Sequence, residues 1–354
     1  MSIFDVFEND AFGLVEMSDA LDRREYVPTG LADMGIFVDE FIRTEDVAIE
    51  MGSSKLNIIQ TTSRGEPLAQ LKKRSRSIRK FSTTRIGQGT TIEAGELDFL
   101  RQMGTEDQFA SLAQELADRL GHGNSLGLLD NLDVTMERMM LGCVQGKVLD
   151  ADDTILWDWA QEFDNAVAEG GTGTIKTVEF DLSPTQAQGN FQKQVNELVR
   201  DMATNSGGTF IPNKTKMVAL VGNEFFDKLS LIPEVRQAQA NQMKNAYMVD
   251  GNDAFGKVEF PLGMVWKNYR GTDDGSTVAI KPDECHVFPT NTRGAFKRVF
   301  AHGESFDDLG QKGKRYYANT IRDVKRDQFV ELEAMTYPLL VCTVPKTLRK
   351  LTIK

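Results

Sequence analysis

The sequence predicts an α+β protein that cannot bury all of its own chain. Three observations carry this. A strong helical stripe runs through Leu132, Met136, Met139, Met140 and Cys143, at spacings of three and four. Alternating and continuous apolar strands fill the second half. Two stretches, residues 1–44 and 45–95, hold too few large apolar groups in a strand or helix pattern to make a core of their own.

In chain order, Phe4, Phe7, Phe12, Leu14 and Val15 are too apolar to float free, and Tyr26-Val27-Pro28-Thr29-Gly30 signals a turn before the short apolar piece Gly35–Val38. This arm is expected to pack either on the chain's own core or on a neighbouring subunit, and composition does not separate the two. Val47–Met51 and Leu56–Ile59 read as strands joined by Gly52-Ser53-Ser54. A basic run, Leu71–Phe81, carries six cations, and Thr83, Thr84, Gly87, Gly89, Thr90 and Thr91 follow. Such a two-stranded excursion is marginal alone in water and needs a surface to lie on.

A half-stripe, Phe109, Leu112, Leu116 and Leu120, precedes the main helix, with Glu106 and Asp107 at its start. Three glycines within Gly121–Gly127 then break or loosen the helix. Gly146 ends the main helix, and Lys147–Leu149 and Ile155–Trp157 flank Asp150–Asp153 as a hairpin. Thr174–Leu182 alternates as a strand. Ser183-Pro184-Thr185-Gln186 reads as a helix start with Ser as cap and Pro first, and the stripe Phe191, Val195, Leu198, Val199 and Met202 follows until Gly207-Gly208. Met217–Val221 reads as a buried strand. Asn223 caps the next helix, another begins after Pro233, and Val258–Phe260, Met264–Tyr269 and Thr277–Ile280 are strands, the last after the turn Asp273-Asp274-Gly275. Phe329–Ala334 alternates, and Leu339–Cys342 is apolar throughout, as in a sheet covered on both faces.

A chain of 354 residues is long enough for a large core or two domains. Cys143, Cys285 and Cys342 are odd in number and far apart, which predicts a reducing compartment and no disulfide framework. The start, Met1–Asp5, lacks the basic and apolar regions of a signal peptide, and no run is long enough to span a bilayer. A net charge of −11 argues against a surface basic all round, though not against one basic face.

No catalytic constellation stands out. His122, His286 and His302 are isolated, and Cys285-His286 is not at a ligand spacing. Gly121-x-Gly123-x-x-x-Gly127 misses the dinucleotide spacing and follows a helix. Asp150–Asp153 lacks the calcium loop's glycine and terminal glutamate, with Ile155 and Gln161 in those places. No catalytic, cofactor-binding or metal residue is therefore assigned. The basic run has three readings: a solvated face, a phosphate-binding strip, or a surface that meets acidic patches on another copy. Only Phe81 lies among its cations, so base stacking on a single strand is unsupported.

The order of segments resembles the lambda-like major capsid proteins of tailed bacteriophages, the phage major capsid protein E family. The likeness runs from Asp10-Ala11-Phe12, Tyr26-Val27-Pro28 and Gly35-Ile36-Phe37, through Arg64-Gly65 and Arg79-Lys80-Phe81, to Ile92-x-Ala94-x-Glu96-Leu97 with Arg101-Gln102-Met103-Gly104. Leu141-Gly142-Cys143-Val144-Gln145-Gly146-Lys147-Val148-Leu149-Asp150 is its most diagnostic run, and Phe288-Pro289, Tyr317-Ala318 and Pro338–Cys342 with Pro345 complete it. The resemblance implies the Hong Kong 97 capsid fold: an N-terminal arm (1–44), an extended loop (45–95), a peripheral domain with a spine helix (96–204), an axial domain (205–295) and a return to the peripheral sheet (296–354).

It also implies a non-enzymatic shell subunit that self-assembles through hexamers and pentamers into an icosahedral head around packaged DNA, in the virion and built in the bacterial cytoplasm. Arg64, Lys72, Lys73, Arg74, Arg76, Arg79 and Lys80 are then candidates for contacts between subunits. No helical segment precedes the family-like opening, so a separate scaffolding protein is expected, with a portal and a decoration protein as further partners and no membrane. The rival readings are a nucleic-acid-binding protein using residues 72–85, marked by affinity that falls steeply with salt, and a hydrolase without a recognisable signature.

Overall fold

A computed structural model describes residues 30–52, 76–93, 116–117, 119–121, 127–163, 173–237, 257–259, 264–269, 278–292, 294–326 and 328–354. Its strands are β1 (Val38–Phe41), β2 (Asp46–Gly52), β3 (Arg76–Ser82), β4 (Ile86–Glu93), β5 (Lys147–Leu149), β6 (Ile155–Asp158), β7 (Lys176–Phe180), β8 (Lys216–Val221), β9 (Lys257–Glu259), β10 (Met264–Asn268), β11 (Glu284–Thr290), β12 (Phe296–Phe300), β13 (Tyr317–Arg322), β14 (Phe329–Thr336), β15 (Pro338–Cys342) and β16 (Arg349–Ile353). Its helices are α1 (Leu128–Val144), α2 (Trp159–Phe163), α3 (Asn190–Thr204) and α4 (Asn223–Leu231).

The stripe of α1 does what its period predicts. Met136, Met139, Met140 and Cys143 are buried against β12 and β15, in a core that Leu31 and Phe81 also enter. Leu128, Leu129 and Leu132 turn towards Ile92, Leu332 and Ala334 of the β13-β14-β4 sheet. The helix is thus apolar on two sides because it sits between two three-stranded sheets, the other being β1-β12-β15. The chain leaves α1 through Gly146, whose φ of +86° favours glycine, and turns into the β5–β6 hairpin around Asp150–Asp153. Gly142 is needed for a different reason. A Cβ there would stand 2.4 Å from the Lys147 carbonyl oxygen, so only glycine lets the hairpin return flush against the helix.

A second core lies under a six-stranded sheet of order β7-β16-β11-β8-β10-β9. Phe191, Val195, Leu198 and Met202 of α3 and Phe225 and Leu229 of α4 fill it, around Trp266. The last strand, β16, is inserted between β7 and β11, so the end of the chain is locked into the middle of this sheet.

Three expectations need correction. The α3 helix starts at Asn190, not at Ser183, because the polar side chains of that stretch close tight turns instead. Asp181 accepts from the Ser183 amide, and Ser183 Oγ accepts from the Thr185 amide. Gly189, at φ +87°, then enters the helix, and the remote Glu234 carboxylate accepts from the Gly189 and Gln192 amides. The cap of α4 is Gly222 rather than Asn223, with no side-chain cap bond. Val278–Ile280 is not a strand. Val278 and Ile280 are buried in the first core from an irregular segment, so their apolarity reports burial without pairing. The expected strand Leu56–Ile59, the half-stripe at Phe109 and Leu112, the glycine-rich break at 122–126, and the turn Asp273–Gly275 lie outside the described residues.

Candidate functional site

The basic segment becomes one strand of an antiparallel ribbon, β2–β3, running from Asp46 opposite Ser82 to Gly52 opposite Arg76. Alternation gives the ribbon two faces. Val47, Ile49 and Phe81 turn towards the body, and Ala48, Ile78 and Lys80 turn to solvent, with Ile78 67 % exposed. Phe81 anchors the root. Its ring stands edge-on to Trp157 at 5.4 Å and Trp159 at 5.3 Å, and tilted to Phe163 at 5.7 Å, so β6, α2 and β3 share one aromatic nest. Arg79 adds an ion pair to Glu162 at 2.7 Å and a bond to the Glu162 carbonyl at 2.8 Å. Both partners are well exposed, so the pair adds little stability. At the foot of the ribbon, Ser82 donates to Asp46 (2.8 Å) and the Thr84 amide to the Pro338 carbonyl (3.0 Å).

Of the seven cations expected to meet another subunit, the structure places Arg76, Arg79 and Lys80 together on β3. Arg79 is turned to its own chain by Glu162, and Lys80 is exposed. Arg64, Lys72, Lys73 and Arg74 lie outside the described residues. The arm from Gly30 onward packs on its own body. Leu31 is fully buried, Ile36 and Phe37 cover the first core, and β1 pairs in parallel with β12. Arg298 holds Asp39 with two bonds of 2.7 and 2.9 Å, and Lys297 holds Glu40 at 2.7 Å.

Sequence reasoning missed the buried acids of α1. Glu137 accepts from the Leu31 and Ala32 amides and the Tyr269 hydroxyl, tying the arm and the end of β10 to the helix. Burial pushes its carboxyl above the ordinary value, against the pull of these donors, and burial with the nearby Glu137 charge pushes the Tyr269 hydroxyl well up. Asp133 accepts from Tyr316, and Asp130 closes the helix start by accepting from the Gly127 amide at 2.8 Å. The only hint in the sequence is a set of three acids at spacings of three and four within the apolar helix.

Two part-buried charged clusters also join distant segments. Arg349 on β16, 4 % exposed at its side chain, and Lys176 on β7 both hold Asp201 of α3. Burial works against the charged form of Asp201, and the two cations outweigh it, so its carboxyl lies below the usual range. Glu284 on β11 meets His286 (3.5 Å), Lys350 (2.7 Å) and Lys281 (3.5 Å), and the His286 contact, with Lys350, draws its carboxyl down to about 2. Neither cluster opens on a cleft with a nucleophile. The cysteines are buried; burial raises the Cys143 and Cys285 thiols, and Cys342 to about 12, so none is poised as a thiolate. Among the described residues no group of three or more His, Cys, Asp or Glu is placed to hold a metal ion, and no helix is long and apolar enough to cross a membrane. What the described surface offers is contact: a ribbon with Ile78 and Lys80 turned outward, and exposed apolar side chains on strands and loops alike.

Residues 13–353 match the family described as phage major capsid protein E. The chain belongs to that family. A curated relative, the major capsid protein of Salmonella phage Felix O1 (isolate Felix O1-VT1), is 25% identical over 284 residues, covering 73% of each chain. Among solved structures, a protein assigned as a prophage capsid protein in E. coli CFT073 superposes with a TM-score of 0.55 at 10% identity, over 96% of this chain and 99% of that one. A chain from Gordonia phage Cozz gives 0.51 at 8% identity, over 94% and 88%. The phage capsid protein therefore has the Hong Kong 97-like fold. It is a structural major capsid protein of a phage virion.

Proposed function

We propose that this capsid protein self-assembles through hexamers and pentamers into the icosahedral shell that encloses phage DNA, and that its work is done by repeated contacts between copies, without catalysis. The observation that carries the reading is the ribbon. Its root is anchored by Phe81 on the chain's own body, while its outer face shows Ile78 and Lys80 to solvent. A thin ribbon of this kind gains most of its stability from a surface laid against it, and identical neighbours supply one.

On this reading residues 1–44 are the arm, 45–95 the extended loop, 96–204 the peripheral domain with its spine, 205–295 the axial domain, and 296–354 the return. The insertion of β16 between β7 and β11 supports adding residues 349–353 and 176–180 to the axial sheet. Packaged DNA would meet the inner face without sequence preference. A scaffolding protein, a portal and a decoration protein are the expected partners, and assembly takes place in the bacterial cytoplasm.

Negative-stain microscopy of the purified protein, with and without a co-expressed scaffold, tests the reading: shells, tubes or rings are expected. Neutralising Lys72, Lys73, Arg74 and Arg76 together should impair assembly and leave the monomer folded. Normal particles from that variant would remove the basic strand from the interface. Each exposed pair is worth only about 0–1 kcal/mol, so the effect depends on several acting together.

A further inference from the structure

The loop between β12 and β13 presents an aromatic side chain that none of the described residues covers. Phe306 is 95 % exposed and Leu309, one turn on, 56 %. A loose loop would explain such exposure cheaply, but this loop is tightly built. The Ser305 hydroxyl donates to Asp308, whose amide donates back to Ser305. Gln311 bonds the Asp307 carbonyl at 2.6 Å and the Asp308 carbonyl at 3.1 Å. The Gly313 amide reaches the Ile42 carbonyl at 2.8 Å, and the Lys314 amide reaches the Tyr317 hydroxyl, also at 2.8 Å. The ordering cost of the loop is thus met before any partner arrives. A rigid, exposed aromatic is what a contact anchor requires.

Behind the loop lies a cleft of about 200 Å³, lined by Glu304, Asp308 and Glu333 with Tyr317, Tyr337 and Arg85. Arg85 approaches Glu304 at 3.7 Å, so three carboxylates face one guanidinium and the cleft keeps a negative surplus. Burial and the nearby Asp308 charge raise the Tyr317 hydroxyl, in keeping with that sign. Outside the loop, Ile78 is the exposed apolar side chain that sits on the basic strand, and Lys80 shares its outward face. Residues two apart on a strand stand about 7 Å apart. One strand can therefore lay an aliphatic group against an aromatic knob and a cation into the acidic cleft beside it.

We infer that the Phe306 loop and the cleft behind it receive the outer face of β3 from a second copy of this chain, Ile78 against Phe306 and Lys80 among Glu304, Asp308 and Glu333. The inference rests on the assembly reading and deepens it by naming both halves of one contact. The halves are different patches of one chain, so the contact is head-to-tail, the kind that builds a ring where its rotation closes. Lys80 is exposed on the outward face of β3, opposite Ala48 on β2.

The test uses full-length protein with its scaffold and mixes two single variants, Ile78→Cys and Phe306→Cys. The three native cysteines are buried, so a short bismaleimide reports the new thiols. Expected are linked dimers from assembled mixed particles and far fewer from particles of either variant alone. Phe306→Ser should lower particle yield about tenfold, as loss of an anchor does, with the circular dichroism and melting of the monomer unchanged. If Lys80→Glu also blocks assembly, adding Glu304→Lys should restore it. Wild-type protein that forms no particle under any condition overturns the assembly reading itself. Normal particles from Phe306→Ser, or mixed particles without the linked dimer, overturn only this contact.

Discussion

Replacing Phe81 by alanine should release the ribbon while sparing the body. The ring is 3 % exposed and lies within 6 Å of three aromatic neighbours. Burying about 170 Å² of aromatic surface at about 25 cal/mol per Å² is worth about 4 kcal/mol, within the range for truncating a core phenylalanine. Whether that loss is local or global depends on what else holds β2 and β3. Val47 and Ile49 are only half-buried, Ile78 faces solvent, and the Arg79–Glu162 pair is exposed. A ribbon of two seven-residue strands with so little else beneath it does not survive the loss of its anchor. Hydrogen exchange should show amides in 46–52 and 76–82 losing protection by up to about a thousandfold, with those of 128–144 close to unchanged. Equal loss along α1 would show that the nest belongs to the global folding unit, and unchanged ribbon exchange would show that Phe81 is not its anchor. Either result refutes the reasoning.

Other outcomes follow from single contacts. Gly142→Ala should destabilise by about 2 kcal/mol or more, since its Cβ would meet the Lys147 carbonyl at 2.4 Å, and denaturant unfolding measures it. Arg349→Met should cost about 3 kcal/mol by leaving Asp201 with Lys176 as its one cation beside the Asn205 amide, and by freeing the Lys346 and Leu348 carbonyls; a melting curve close to wild type would contradict this. Glu284 lies near 2, below its ordinary 4.5, so its contribution is present above about pH 4.5 and is lost as pH falls through 4.5 towards 2. Glu284→Gln should therefore lower stability at neutral pH by on the order of 1–3 kcal/mol and flatten the acid limb of the stability profile. Glu137→Leu should strip the Leu31 and Ala32 amides of their acceptor, and limited proteolysis should then cut the segment 31–42 sooner.

Local periodicity was enough to read α1, the strands β8, β14 and β15, and the hairpin after Gly146. Each of those signals lies within one turn or one strand of the residues it describes. The family's run from Leu141 to Asp150 has a local cause as well, since Gly142 and Gly146 are set by a turn a few residues long. The start of α3 is not legible locally, because the carboxylate that accepts from the amides of its first turn, Glu234, stands far along the chain, and Ser183 has nearer uses for its hydroxyl. The acids of α1 give no local sign of their role, because the groups that donate to Glu137 and Asp133, at Leu31, Tyr269 and Tyr316, stand more than a hundred positions away.

The amino-acid sequence alone determined the α+β class, the long central helix, the basic strand and the family to which the chain belongs. These depend on spacing, composition and short runs, which the chain carries wherever it folds. Only the tertiary structure decided that Arg79 is held by its own chain while Lys80 faces outward, that β16 is inserted between β7 and β11, and that Phe306 is exposed beside an acidic cleft. Those facts depend on residues tens to hundreds of positions apart meeting in space, and no local pattern encodes such a meeting.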